Sequence, residues 1–340
     1  SSYIALLDEQ PSSLQRVVQV FDESRWMADR LIQHPFLLDE LLDSRVIAGQ
    51  IDGGLLAQRA AGLVKDHAGD IESALLALNE FKLSTSFKIA YQFLFQELSA
   101  TGASRWLTCL AEAVLEQCTQ LAAEDLRRQH GTVPDSGFAA IGYGSLGARS
   151  LSFNSDLDLV FLDRSGPDAA SDGVRTLDAP RYFLRLAQKL IALLNLSTPA
   201  GSLYEADMRL RPDGAKGLLV SRFESFEQYQ QQRAWTWELQ ALVRARAVAG
   251  DAQLQQRFEG LRAALLGLPR DAQSLHAEVT GMRLRMRAEL DRSTDGHFDL
   301  KHGPGGLTDI EFFLQAMLLM HATDHPALLT LRETPELIGG

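Results

Sequence analysis

Apolar positions recur at spacings of three and four in Leu14, Val17, Val18 and Phe21, and again in Phe36, Leu37, Leu41 and Leu42. That period predicts amphipathic helices. The stretches Leu55 to Val64, Ile71 to Phe81 and Phe87 to Leu98 repeat it, with breaks expected at Gly69-Asp70 and at Ser84. A long amphipathic run from Trp106 to Leu126 follows. Asp43 to Gly54, with Gly49, Gly53 and Gly54, reads as an inter-helix loop. Up to about residue 130 the chain therefore reads as a helical bundle or docking surface, and no side chain in it suggests chemistry.

The pattern changes at His130 to Gly137, a polar connector containing Gly131, Pro134 and Gly137. After it, Phe138 to Tyr143 reads as a short apolar strand. Asp156 to Leu162 reads as a second, alternating acidic and apolar residues before turning fully apolar. Pro180 to Leu196 is strongly amphipathic, with Pro180 suited to a helical first turn. Strands are expected over Leu203 to Leu210 and Leu218 to Ser221, and helix from Glu224 onward. The expected fold class is α+β, predominantly helical, with a small mixed sheet wrapped in helices. No short-period repeat or low-complexity segment interrupts it.

Composition narrows the function without choosing one. The chain has 340 residues, enough for two or three domains, with 46% hydrophobic and 23% charged residues. Formal net charge is -11, which argues against a grip on nucleic acid, since that needs a basic face. A nucleotide stays allowed, because a local arginine cluster or a metal can reverse the field inside one cleft. Cys109 and Cys118 are too few for a disulfide framework and read as buried thiols of a cytoplasmic protein. No apolar run approaches the roughly 18 residues of a membrane span.

Gly142 to Gly147, sequence GYGSLG, matches the dinucleotide-binding pattern G-x-G-x-x-G, and Asp163 falls about 20 residues on, where a ribose-binding acid would sit. Against that reading, Asn154-Ser155-Asp156 leaves only about two turns for a crossover helix, and no further strand-helix-strand units follow. A glycine turn at Gly144 to Gly147 instead lets backbone N–H groups approach phosphate oxygens, with the Ser145 hydroxyl as a further contact. A tight structural turn is the plain alternative.

Asp156-Leu157-Asp158 is the most informative tripeptide. Residues two apart on a strand project from one face, so the two carboxylates share a face while Leu157, Leu159 and Phe161 point into the core. Like charges so placed repel unless something positive lies between them, and magnesium is the natural candidate. Tyr204 to Arg211 also alternates, with Glu205, Asp207, Arg209 and Arg211 on one face. Asp156, Asp158 and Asp207 are thus candidate catalytic residues and ligands of two Mg2+ ions about 4 Å apart, the clamp for in-line phosphoryl transfer. No kinase or P-loop motif is present, so the set favours nucleotidyl transfer from ATP.

These stretches resemble the bacterial glutamine synthetase adenylyltransferase family. The resemblance runs through Gly142 to Gly147, Asn154 to Leu159, Tyr182 to Gln188, Leu203 to Asp207, Arg209 to Pro212, Ala234 to Glu238, Leu242 to Arg246 and Gly305 to Phe312, with a lead-in at His34 to Leu42. It covers nearly the whole chain. It implies a nucleotidyltransferase (DNA polymerase β-like) mixed-sheet core flanked by helical bundles, divided as a helical domain over 1–130, a catalytic domain over 131–250 and a C-terminal helical region over 251–340. Family members carry two related halves, one adenylylating a tyrosine of glutamine synthetase with ATP and the other removing AMP by phosphorolysis. Trp235 to Glu238 and the lead-in are similar to the C-terminal, adenylylating half, so the chain is expected to be a piece of a longer protein that continues past Gly340. Asp207 is expected to help deprotonate the attacking tyrosine. Glutamine and a PII-type signalling protein are the implied regulators.

The family commonly has lysine where this sequence has Ser145. That leaves Arg149, Arg209 and Arg211, with Gly144, Ser145, Gly147 and Ser155, as the nucleotide-binding candidates. Trp235, Trp237 and Glu238 are expected to begin a helix running through Arg244 and Arg246. Arg244 lies seven residues after Trp237, about two turns, so Trp237, Glu238 and Arg244 are candidates for positioning substrate. Thr308 to Glu311 has capping-box spacing for a final helix, and the Gly303 to Gly306 loop before it is a candidate to approach the site. A phosphorolytic deadenylylase and a docking module with a decayed core are the alternatives.

Overall fold

A computed structural model describes residues 11–42, 52–96 and 98–339. It is predominantly helical with a five-stranded mixed sheet, the α+β class expected. The chain packs as two compact units, one of Ser1–Leu121, Leu151–Ser155 and Leu190–Glu205, the other of Ala122–Ser150, Asp156–Lys189 and Ala206–Gly340.

In the first unit, helices start where a side-chain oxygen takes over an orphan N–H. Ser24 caps Arg25–Gln33, Asp52 caps Gly53–Asp66 and Asp70 caps Ile71–Phe95. Val20, Met27, Leu31, Leu37, Leu41, Leu83 and Phe87 form its core. Ser84 does not break the pattern. It sits inside the 25-residue helix Ile71–Phe95, where buried Leu83, Thr85 and Phe87 hold the helical path. Of the loop expected over Asp43 to Gly54, residues 43–51 lie outside the described ones, and Gly53 and Gly54 are a helical first turn.

The second unit carries the sheet. Strand β1 (Gly137–Gly142) pairs antiparallel with β2 (Leu157–Arg164) on one side and with β5 (Arg246–Gly250) on the other. Strands β3 (Ala206–Asp207) and β4 (Val220–Arg222) both run parallel to β2. Both sheet faces are covered. Phe138 and Phe161 stack at 5.5 Å on one, with Phe183 of the Ala179–Asn195 helix against Phe138. Ala139, Ile141, Val160 and Leu162 face a core with Phe226, Phe258 and Leu319.

Three expectations are corrected here. The strand over Leu203 to Leu210 shrinks to two residues, because the Tyr204 N–H bonds the Leu194 carbonyl and Arg211 folds back on its own loop. The helix expected to run through Arg246 covers only Thr236–Val243, since the chain from Arg246 completes a ladder with β1. The dinucleotide-binding topology is absent: β1 and β2 are antiparallel, the helix between them is the single turn Gly144–Gly147, and Asp163 is buried against the Ser165 hydroxyl.

Phe258 is fully buried and packs at 6.2 Å from Phe226. Phe258→Ala should cost about 3–5 kcal/mol by cavity formation, read as a lowered urea midpoint. Val174→Ala, at a fully exposed position, should stay within about 0.5 kcal/mol.

Candidate active site

The register of β2 against β3 places Leu157 opposite Ala206 and Asp158 opposite Asp207. Strand alternation puts Asp158 on the face of Val160 and Leu162, so its carboxyl sits at the end of an otherwise apolar row. Burial, then Asp207, then Asp156 push its pKa up to about 6, partly offset by Arg209 and Lys301. Asp156 stands exposed just before the strand. Asp207 behaves oppositely. Arg209 donates to it through Nε at 2.7 Å and through its backbone N–H at 2.8 Å, holding that carboxyl below the usual range.

The glycine turn meets these acids directly. The Tyr143 N–H donates to the Asp158 carbonyl at 2.9 Å. Gly144 follows at φ +51°, and a Cβ there would lie 2.2 Å from Asp158 Oδ2. Only glycine allows both that backbone and that approach. At Gly147 a Cβ would lie 2.0 Å from the Arg244 carbonyl oxygen, a backbone atom that cannot swing away. Arg246 closes the turn from behind, donating to the carbonyls of Leu146 at 3.2 Å and Gly147 at 3.3 Å. Ser145 sits partly buried within the turn, and its carbonyl accepts from the Ser150 N–H.

The other candidates fall in different places. Arg209 is exposed and lies at the acids. Arg211 donates to the carbonyls of Met208, Ala215 and Gly217, which stitches the loop after β3. Arg149 is exposed at φ +52° and acts on Arg332. Ser155, directly before Asp156 in sequence, hydrogen-bonds the Ser152 hydroxyl and N–H. Glu238 is buried; it accepts from the Tyr229 hydroxyl and the Trp235 N–H, so it organises the start of its own helix. Trp237 is half-buried on that helix. Arg244 is buried, paired with Glu311 and donating to the Ser150 hydroxyl at 2.8 Å.

Sequence reasoning missed several of these placements. Thr308 to Glu311 does not form a capping box at the start of a final helix: the helix Leu307–His321 starts from Gly306 with no side-chain cap, and another, Thr334–Gly339, follows it. Asp309 instead binds Arg283, Arg287 and the Gly305 N–H, fixing the loop before its helix. Lys301, in that same segment, acts on Asp158. The glycines around it were the available signal. A cavity of about 1000 Å³ lies elsewhere, lined by Phe313, Met317, Leu331 and Ile338 among others. Its largely apolar wall is unsuited to a triphosphate.

Among the described residues no three acids, histidines or cysteines are gathered into a ready-made metal cage. The carboxylates nonetheless suit a hard cation: they are oxygen donors crowded enough to raise the proton affinity of one of them. Arg209 occupies Asp207 meanwhile.

A family model for glutamate-ammonia ligase adenylyltransferase matches residues 14–261. The chain belongs to that family. Bifunctional glutamine synthetase adenylyltransferase/adenylyl-removing enzymes of Xanthomonas axonopodis pv. citri and Stenotrophomonas maltophilia are 52% and 51% identical to it over 99% of its length. The protein of that name from Pseudomonas putida is 40% identical over 97%. The chain spans 36% of the length of these adenylyltransferase-family proteins. Residues 273–339 are also similar to GlnD PII-uridylyltransferase.

The folded Asp158 carboxyl keeps its proton up to about pH 6, whereas an unfolded aspartate releases it near 3.8. Stability therefore falls as pH rises through that window, and the loss is complete above it. In magnesium-free buffer, Asp158→Asn should stabilise the chain by about 1–3 kcal/mol above pH 7 and by almost nothing below pH 4, measured by thermal denaturation across pH.

Proposed function

We propose that this chain transfers AMP from ATP to a tyrosine of glutamine synthetase and releases pyrophosphate. The observation that carries the reading is the pairing of Asp158 with Asp207 on adjacent parallel strands, with Gly144 pressed against the Asp158 carboxyl. The relatives' shared name points to the same reaction.

Asp156, Asp158 and Asp207 would hold magnesium, which when bound supplies positive charge to the phosphates and the leaving group. The chain's own residues do the rest. The Gly144 to Gly147 turn, fixed by Arg246 and by contact with the Arg244 backbone, offers a close-approach surface for phosphate oxygens. The tyrosine oxygen forms its bond to the α-phosphorus as the bond to the pyrophosphate oxygen breaks, and the electron pair leaves with pyrophosphate. Asp207, ionised beside Arg209, accepts the tyrosine proton. Arg244 and Glu238 position backbone and helix rather than touching nucleotide.

The partner in this reading is glutamine synthetase, in the cytoplasm. Glutamine and a PII-type protein are the regulators in this reading, and the similarity of residues 273–339 to GlnD PII-uridylyltransferase supports a regulatory link.

With magnesium, α-labelled ATP and unmodified glutamine synthetase, label should enter the synthetase. The double variant Asp156→Ala, Asp158→Ala should lower that rate by roughly 10²–10³-fold, about 3–4 kcal/mol of transition-state stabilisation. Release of label only from adenylylated synthetase with phosphate would make the chain a deadenylylase instead.

A further inference from the structure

Strand β3 delivers Asp207 but is only two residues long, so the position of that carboxylate depends on what holds the chain before and after it. After it, Arg211 donates to the carbonyls of Met208, Ala215 and Gly217. Before it, the segment Leu190–Glu205 packs within the first unit, and a side chain of that unit grips it. Lys82, on the helix Ile71–Phe95, donates through Nζ to the Leu203 carbonyl and, at 3.3 Å, to the Ser202 carbonyl. The same ammonium lies 4.5 Å from the centre of the Tyr204 ring. Leu203 is fully buried, and the Tyr204 N–H donates to the Leu194 carbonyl at 3.1 Å. Asp207 follows Tyr204 by three residues.

Two carbonyls and a ring face take the place of water around this ammonium. The exchange is unfavourable for the charge: burial, then Arg30, pulls the Lys82 pKa down to about 8. A methionine would fill a similar space without that cost. What the lysine adds is a set of N–H donors that fixes two successive carbonyls and, through the ring, the residue after them. The short strand is thus braced by a cation on each side, Lys82 ahead of Asp207 and Arg211 beyond it.

We propose that Lys82 is a positioning residue for adenylyl transfer: by fixing the Ser202 and Leu203 carbonyls and the Tyr204 ring, it sets where Asp207 stands beside Asp158. The assignment rests on the adenylyl-transfer reading above. It gives the helices before residue 130 a part in the chemistry, exerted through the chain that leads into the carboxylate strand.

Steady-state transfer of labelled AMP to glutamine synthetase tests this, comparing the unchanged chain with Lys82→Met, Lys82→Arg and Phe87→Leu, the last a core change that leaves these contacts in place. Lys82→Met should lower kcat about tenfold with the KM for ATP within about twofold, because a displaced carboxylate is felt in the transition state. Lys82→Arg, which still donates to the carbonyls, should keep at least about a third of kcat. Phe87→Leu should lower the melting temperature and keep kcat within about twofold. In magnesium-free buffer, amide hydrogen exchange over residues 204–208 should quicken about tenfold in Lys82→Met and not in Phe87→Leu. An unchanged kcat in Lys82→Met, or a loss that Lys82→Arg shares in full or Phe87→Leu matches, overturns the assignment. Should Lys82→Met not fold, Tyr204→Leu decides by the same two readouts, with an expected drop in kcat of about threefold and no drop overturning the assignment. Absence of transfer by the unchanged chain would instead overturn the proposed function, and the assignment with it.

Discussion

Two carboxylates set side by side on neighbouring parallel strands repel one another, and the surroundings of Asp158 and Asp207 are organised around that repulsion. Arg209 neutralises one of them, Lys301 eases the charge on the other, and Gly144 gives the crowded carboxyl room that a side chain would take away. The residual cost is visible in Asp158, whose proton is held well above the usual aspartate range. A fold selected for stability alone would place an apolar residue there, at the end of the row formed by Val160 and Leu162. The strain is thus stored where charge must later be received.

Because β3 is only two residues long, ladder bonds alone hold Asp207 weakly. The loop that follows does the rest. Arg211 binds three of its carbonyls, so an arginine that reads in sequence as a phosphate ligand serves as a brace for the carboxylate strand. Arg246 plays the same part for the glycine turn, donating to the carbonyls of Leu146 and Gly147. Guanidinium forks suit this work, since several fixed N–H donors can satisfy neighbouring carbonyls at once.

Periodicity made the helices legible, and the D-x-D spacing made the carboxylate face legible, because both depend on local geometry. What stayed hidden depends on partners distant in sequence. Strand β5 is an alanine-rich stretch around Arg246 and Val248 with little alternation, and it is a strand because β1 offers it a ladder. Tyr204 to Arg211 alternates cleanly and is mostly irregular, since a backbone bond to Leu194 and the Arg211 brace take precedence over extension. Ser84 is a poor helix former carried along by buried neighbours. Which arginines are spent on backbone cannot be read from residue type at all.

The pair of Arg209 with Asp207 has a kinetic side. The Arg209 side chain is 84% exposed while its partner is largely covered, and the backbone on which it is mounted is braced independently by Arg211. A rotamer change of one solvated side chain therefore frees Asp207 Oδ2, an event of the picosecond-to-nanosecond class, while the Arg209 backbone N–H stays on Oδ1. The empty cluster thus carries a counter-ion of its own on one carboxylate oxygen, mounted on a side chain that can leave without moving the backbone.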